Sequence, residues 1–373
     1  MEHKSIRILM GIPNPDAKGG LLSCVPYLLE YLQTNGRAKV FTIIYGSHGR
    51  QKHVWLRILD TVNLSRDMMK IAKKEVPDII HINTSYDIKA LLRDVFIVLY
   101  LRLVNIRAKL FLKFHGSDAS LLSKNLKWKL ITLILLRNID GAGLLSTEEK
   151  NNFLAAFPEL KDKFYIVKNV VNSSRFQIKS DFRERYKISK QKTVFLFIAR
   201  FIESKGILEV IKAFSVVKKK YTDTHLLLVG DGTMMKASKE LVALLKLEDE
   251  TTFTGYVDEI ETPEIYLGSD ILVFPTATEG FSMTVFNSVA AGLSIITSRI
   301  RAVADYLKEP DNCLWTEPKD CEMLVDKMSY LLNHPQLTEK MAINNKKLAQ
   351  QFSRERVGRE FLKIYSKMLV QGV

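Results

Sequence analysis

A chain of 373 residues with 55 Lys and Arg against 41 Asp and Glu carries a formal net charge of +14, and 47% hydrophobic with 26% charged residues is an ordinary globular composition. Disordered and fibrous classes are excluded, and a chain of this length suggests two domains or one large one, able to fold without metal or disulfide staples. The three cysteines, Cys24, Cys313 and Cys321, form neither a C-x-x-C nor an even framework, which points to a reducing, cytoplasmic compartment.

Short β-rich runs alternate with longer helical patterns, the signature of α/β architecture with doubly wound parallel sheets covered by helices. The first run, 6–12, is only seven residues long, apolar but for Arg7, and breaks into a Pro/Gly loop, a first buried strand rather than a signal peptide. A helical run over 21–32 follows, then strands at 40–45, 78–82, 109–114, 141–145 and 164–167 with helical segments between them. The apolar period disappears in the polar stretch 172–191 and then starts afresh. The second series has a strand at 193–199, a helix from Ser204, a strand at 226–229, a helix through 241–245, strands at 251–254 and 271–274, a helix from Thr284 and a strand at 294–297. Past Pro335 the pattern is purely helical, 337–352 and then 356–369. No repeat of 20–50 residues occurs, and the most lipid-like stretches, 95–101 and 130–136, fall well short of a membrane span. The expected fold is two facing Rossmann-like domains, which bind ligands at the carboxyl ends of their strands.

The residues just after strands are therefore the ones to inspect. Gly19 and Gly20 follow the first strand, where paired glycines let backbone pass close to a phosphate at a helix N-terminus, or simply turn the chain. Neither a P-loop nor a G-x-G-x-x-G pattern is present. His115, in F-H-G-S-D at 114–118, ends a central strand; it faces a ligand crevice or packs, as most lone histidines do. Arg200 ends the strand 193–199 and Lys205 stands where the next helix begins. The two are either surface bases or a clamp for a diphosphate that stabilises charge on a leaving phosphate. The segment P-T-A-T-E-G-F-S-M-T, 275–284, joins a strand to a helix. Its carboxylate, Glu279, and the run Gly280, Phe281, Ser282, Met283 and Thr284, ending in helix N–H groups, suit sugar hydroxyls and phosphate, although alone it is a turn like any other. No Asp-x-Asp pair, H-E-x-x-H or other zinc spacing occurs, so neither a cofactor nor a catalytic metal is expected.

Together these positions resemble the retaining nucleotide-sugar glycosyltransferases of family 4, which have the GT-B fold of two facing Rossmann-like domains. The likeness is strongest from Phe195 to Ala304, where I-A-R-F-I-E-S-K-G-I, L-L-L-V-G-D-G, F-T-G-Y-V, S-D-I-L-V-F-P-T-A-T-E-G-F-S and A-A-G-L-S-I-I-T-S stand in the family's order and spacing. It implies a metal-independent, hexosyltransferase-type enzyme that moves a sugar from a UDP- or GDP-sugar to a glycan or lipid-linked acceptor in cell-surface polysaccharide or lipopolysaccharide synthesis. It implies an acceptor-side domain over 1–171, rejoined by the C-terminal helix 353–373, and a nucleotide-sugar-binding domain over 172–352. Arg200 and Lys205 then hold the donor diphosphate, Gly19 and Gly20 approach the same phosphates, and Gly280 to Thr284 cradle them. His115 and Glu279 lie at the reacting sugar as the catalytic pair. Such transfer is described as front-side attack assisted by the leaving phosphate, so no protein nucleophile is sought.

Three departures stand out. Eight residues on from Glu279 the family's second glutamate, which grips the nucleotide ribose, is Asn287, able to bond but without charge. The interdomain P-N-G-V-D reads K-N-V-V-N over 168–172, and the Gly-rich turn before Asp305 reads S-R-I-R over 298–301. A separate feature is the concentration of charge: nine basic and two acidic residues between Arg93 and Arg137, a net +7. There Leu122, Leu126, Leu130 and Leu133 form a helical stripe with Lys124 and Lys127 opposite. This is either a core helix with a solvated lysine face or a surface for peripheral contact with an anionic membrane. A GT-B sugar-nucleotide epimerase or hydrolase shares the phosphate clamp. A nucleic-acid binder is suggested by the charge alone and lacks any recognisable motif, so no nucleic-acid partner is expected.

Overall fold

The structure, a computed structural model, describes residues 5–15, 20–46, 53–118 and 120–370; Gly19 lies outside them. The chain divides into two compact units, Met1–Val170 with Arg354–Val373, and Val171–Ser353.

The first unit is built on a six-stranded parallel sheet of order β2-β1-β3-β4-β5-β6. Its strands are β1 (Ile6–Ile12), β2 (Ala38–Ile44), β3 (Ile79–Tyr86), β4 (Lys109–Ser117), β5 (Gly141–Leu144) and β6 (Phe164–Ile166). Its helices are α1 (Val25–Thr34), α2 (Val54–Glu75), α3 (Ile88–Leu103), α4 (Leu121–Lys124), α5 (Leu126–Asn138) and α6 (Thr147–Ala156), with the C-terminal helix Arg354–Val370 returning to the unit. The second unit repeats the plan with order β12-β11-β10-β7-β8-β9. Its strands are β7 (Thr193–Ile198), β8 (Thr224–Val229), β9 (Thr251–Gly255), β10 (Ile271–Phe274), β11 (Ser294–Ser298) and β12 (Leu314–Thr316). Its helices are α7 (Phe182–Arg185), α8 (Ile207–Lys220), α9 (Met235–Leu244), α10 (Thr262–Leu267), α11 (Met283–Ala291), α12 (Arg301–Tyr306), α13 (Cys321–Asn333) and α14 (Pro335–Ala349). Both sheets have helices to cover both faces, so their inner strands are apolar throughout: β8 and β10 are buried at every position. This is the α/β class expected from the alternation of runs.

One device holds the amino edge of both sheets. An aspartate just before a strand accepts the backbone N–H of a neighbouring strand. Asp78 takes Arg7 N at 2.8 Å, Asp140 takes Leu110 N at 2.8 Å and Asp270 takes Val194 N at 2.7 Å. Arginines from flanking segments close two of these, Arg102 on Asp140 at 2.6 Å and Arg183 on Asp270 at 2.7 Å. The carboxyl edges are left for other work. The strand order reverses between β1 and β3 in one sheet and between β7 and β10 in the other, and at such points the loops part to leave a crevice.

Two helical expectations change. The run over 21–32 begins as a turn, and α1 starts only at Val25 with Pro26 in its first turn, where the missing N–H is not needed. The continuous helix through Leu122 and Leu133 is broken at Asn125, which is extended at φ −164° and ψ 134°. Its side chain accepts Lys127 N and so caps α5 instead of continuing α4. The leucine stripe is split: Leu126 and Leu130 are 80% and 55% exposed, whereas Leu122 and Leu133 are partly buried against the core and Thr132, Leu135 and Leu136 are buried.

The C-terminal helix docks by shape. A Cβ on Gly358 would lie 2.0 Å from the Tyr31 ring, so only glycine allows this approach to α1. Further along, Phe361 stacks on His81 and the Tyr365 hydroxyl meets His81 Nδ1 at 2.6 Å.

Candidate active site

In the second unit the candidate residues gather at the carboxyl ends of β7 and β10. After β7 the chain makes a short 3-10 turn, Glu203–Lys205, and Gly206 enters α8 at φ 77°. A Cβ there would lie 2.8 Å from the Pro275 ring, so glycine brings this turn against the loop after β10. Ala277 N donates to Ser204 O at 2.8 Å, tying the two segments together. Lys205 is buried; its Nζ donates to Glu279 Oε1 at 2.7 Å, Thr278 O at 3.1 Å and the Thr276 hydroxyl at 3.4 Å. The structure thus joins two residues 74 positions apart in the chain, and with them Thr276 and Thr278 of the 275–284 segment. Arg200 lies exposed just past β7.

Glu279 and Gly280 are half-buried, Phe281 and Ser282 are buried, and Met283 begins α11. Phe281 stacks on Phe286 with ring centroids 4.1 Å apart, which anchors the loop against its own helix. The Ser282 side chain caps α11 by accepting Val285 N at 3.4 Å, leaving Met283 and Thr284 to present first-turn N–H groups. The Thr284 hydroxyl donates to Ile198 O at 3.2 Å, fixing the helix to the end of β7. Asn287 is buried, with its amide against the Tyr266 hydroxyl, and burial holds Tyr266 above its ordinary pKa.

In the first unit His115 stands near the end of β4. Its Nε2 meets Asn83 Oδ1 at 2.8 Å, and Asn83 Nδ2 donates to Gly11 O at 2.9 Å. The amide orientation follows from the carbonyl it must serve, so Nε2 carries the hydrogen and Nδ1 keeps its lone pair. Nδ1 faces the Cys24 sulfur at 3.9 Å. Burial, then Lys113 and His81, hold His115 well below the usual histidine pKa, so the imidazole is neutral. Below it Lys113 is buried, donating to Lys168 O at 3.3 Å, and burial lowers its pKa to about 8. Gly20 is exposed. Asn83 was missed in the sequence; its signal was a polar side chain just past the strand run 78–82.

The basic segment 93–137 proves heterogeneous. Arg93 serves buried Asp94 at 2.8 Å together with Thr84 at 2.7 Å, Arg102 and Lys109 serve Asp140, and Lys113 is internal. Lys127 and Arg137 remain exposed. Among the described residues no helix is long and apolar enough to cross a membrane, and no group of three or more His, Cys, Asp or Glu is arranged to hold a metal ion.

Residues 178–348, a little under half the chain, match the model of glycosyl transferases group 1, and this segment contains Arg200, Lys205 and the 275–284 loop. An uncharacterized glycosyltransferase of Methanocaldococcus jannaschii is 23% identical over 59% of this chain and 58% of its own length. N-acetyl-alpha-D-glucosaminyl L-malate synthase of Bacillus anthracis is 24% identical over 82% of this chain and 79% of its own. A Campylobacter jejuni N,N'-diacetylbacillosaminyl-diphospho-undecaprenol alpha-1,3-N-acetylgalactosaminyltransferase is 25% identical over 60% of this chain and 59% of its own.

Among solved structures, sucrose-phosphate synthase of Thermosynechococcus elongatus superposes with a TM-score of 0.78 at 18% identity, over 99% of this chain and 100% of that one. Anabaena HepE in complex with UDP and glucose gives 0.74 at 17%, over 97% and 100%. These structures bear on the fold alone, which is of the GT-B type. Fold and family-model match together support a glycosyltransferase.

Proposed function

We propose that the protein is a retaining, metal-independent hexosyltransferase that uses a UDP- or GDP-sugar and delivers the sugar to a glycan or lipid-linked acceptor of polysaccharide or lipopolysaccharide synthesis. The observation that carries the reading is the pair of buried Lys205 and half-buried Glu279 at the reversal point of the second sheet, beside the N-terminus of α11. In the proposal the second unit binds the donor. Lys205 and Arg200 neutralise the diphosphate as charge builds on the leaving phosphate, and the Gly280–Thr284 backbone takes up its oxygens. Lys205 then turns from Glu279 toward phosphate, releasing the carboxylate to the sugar hydroxyls. The first unit is the acceptor side. Its neutral His115, held by Asn83, offers Nδ1 as an acceptor near the reacting sugar, and Gly19 and Gly20 approach the phosphates. Asn287 contacts the nucleoside as an uncharged partner. The protein works in the cytoplasm, peripheral to the membrane through the 93–137 segment. The N-acetylgalactosaminyltransferase relative, whose name specifies a diphospho-undecaprenol acceptor, favours a lipid-linked acceptor here.

The test is a panel of UDP- and GDP-sugars, with nucleotide release followed in the presence and absence of a lipid extract. Release stimulated by acceptor, and abolished by Lys205→Ala or Glu279→Ala in folded protein, is the expected result. Acceptor-independent release would make the protein a donor hydrolase. Full turnover in both variants would remove the site assignment.

A further inference from the structure

The outward face of the helical layer in the first unit is apolar where a solvated helix is ordinarily polar. On α3 the buried arc is Ala90, Leu91, Asp94, Ile97, Val98 and Leu101. At 3.6 residues per turn the opposite arc is Ile88, Leu92, Phe96, Leu99 and Leu103, all exposed. The neighbouring helix α5 repeats the pattern with Leu126, Leu130 and Ile134, and α2 opens with exposed Trp55 and Ile58. Because α3 packs against both α2 and α5, the three stripes form one surface. Each helix lies in a crossover between parallel strands, so its first turn lies at the carboxyl edge of the sheet, the edge that carries His115.

The charges on this surface select its partner. The acidic residue of α3, Asp94, is buried in its network with Arg93, Thr84 and Tyr45, and α5 contains none. Lys89, Lys127 and Arg137 are exposed within or beside the apolar arcs. A second copy docked through the same face about a two-fold axis would set these cations against themselves. An anionic surface with an apolar interior meets both the leucines and the bases, and among the described residues no helix is long and apolar enough to cross it rather than lie on it.

We propose that α3 and α5, with the first turns of α2, seat the first unit on an anionic lipid leaflet. The inference deepens the proposed transferase reading by naming the surface that would bring a lipid-linked acceptor to the His115 edge. Lipid binding needs no turnover, so its test and that of transfer fail separately.

The experiment is co-sedimentation of the full chain with vesicles of phosphatidylcholine alone or mixed with phosphatidylglycerol, alongside sedimentation velocity without lipid. Expected is binding that rises with phosphatidylglycerol and falls with salt, weakened about tenfold or more by Leu92→Glu with Phe96→Glu and, on anionic vesicles only, by Lys127→Glu with Arg137→Glu. All four positions are exposed, so the variants should melt as the parent does. Binding indifferent to phosphatidylglycerol, or undiminished in the Leu92→Glu, Phe96→Glu protein, would overturn the proposal. So would a dimer that this variant dissociates together with an absence of vesicle binding, which would assign the face to a second copy.

Discussion

Lys205 and Glu279 illustrate what a single side chain means once its partner is known. Each was legible in the sequence as a residue type at the end of a strand, but their 2.7 Å contact was not, because β7 and β10 become neighbours only through the reversal of strand order. Replacing Lys205 by Ala removes the cation and leaves a partly buried carboxylate unpaired, so nucleotide release should fall by about 10²–10³-fold. Glu279→Gln keeps an acceptor for Lys205 and should lose markedly less; steady-state release rates of the two proteins compare them. Asn83 gives a prediction of a different kind. Asn83→Asp would place a carboxylate 2.8 Å from His115 Nε2 and raise the imidazole pKa, which the native site keeps low. Activity in the variant should then decline as pH falls through the new pKa, a limb absent from the native profile over the same range, readable in the pH dependence of kcat/KM.

At the level of elements, the sequence periodicity located nearly every strand, since parallel strands buried on both faces read as uninterrupted apolar runs. It failed where one side chain redirects the backbone, as Asn125 does between α4 and α5, and where a strand is as short as β12. The C-terminal helix was legible as a helix; its grip on β3 through His81 and Tyr365 was not. That grip has a titration signature. Burial first, then Lys113, lowers His81 to about 3, whereas an unfolded histidine titrates near 6.5. The unfolded chain therefore binds the extra proton between these values, and stability present above about pH 6.5 is lost as pH falls toward 3, by roughly 5 kcal/mol at most. Urea unfolding of His81→Asn from pH 7 to 4 should show a flatter pH dependence than the parent. In the second unit, Asn287 and Tyr266 join α11 to α10. Asn287→Ala removes one of two side-chain partners of the Tyr266 hydroxyl, Thr284 being the other, and should cost about 1 kcal/mol, part of which Tyr266→Phe should recover; a double-mutant cycle in denaturant reads the coupling.

At the scale of the whole molecule, the chain leaves the first unit at Val170 and re-enters it at Arg354. A fragment of residues 171–353 should therefore fold alone with a cooperative thermal transition. A 1–170 fragment, without the helix that covers His81, Phe111 and Tyr31, should remain loosely packed until a peptide of residues 354–370 is supplied; near-ultraviolet circular dichroism distinguishes the two states. The amino-acid order by itself determined the α/β class, the restart of the pattern after the polar stretch and the chemical types at the strand ends. These depend on local period and on residues adjacent in the chain. Tertiary structure decided the Lys205–Glu279 pair, the tautomer of His115 and the division of the +7 segment into bases bound within the fold and bases facing outward. Each of these depends on which distant strands and helices become neighbours, and in a parallel sheet every such neighbour is reached by a crossover that local periodicity does not encode.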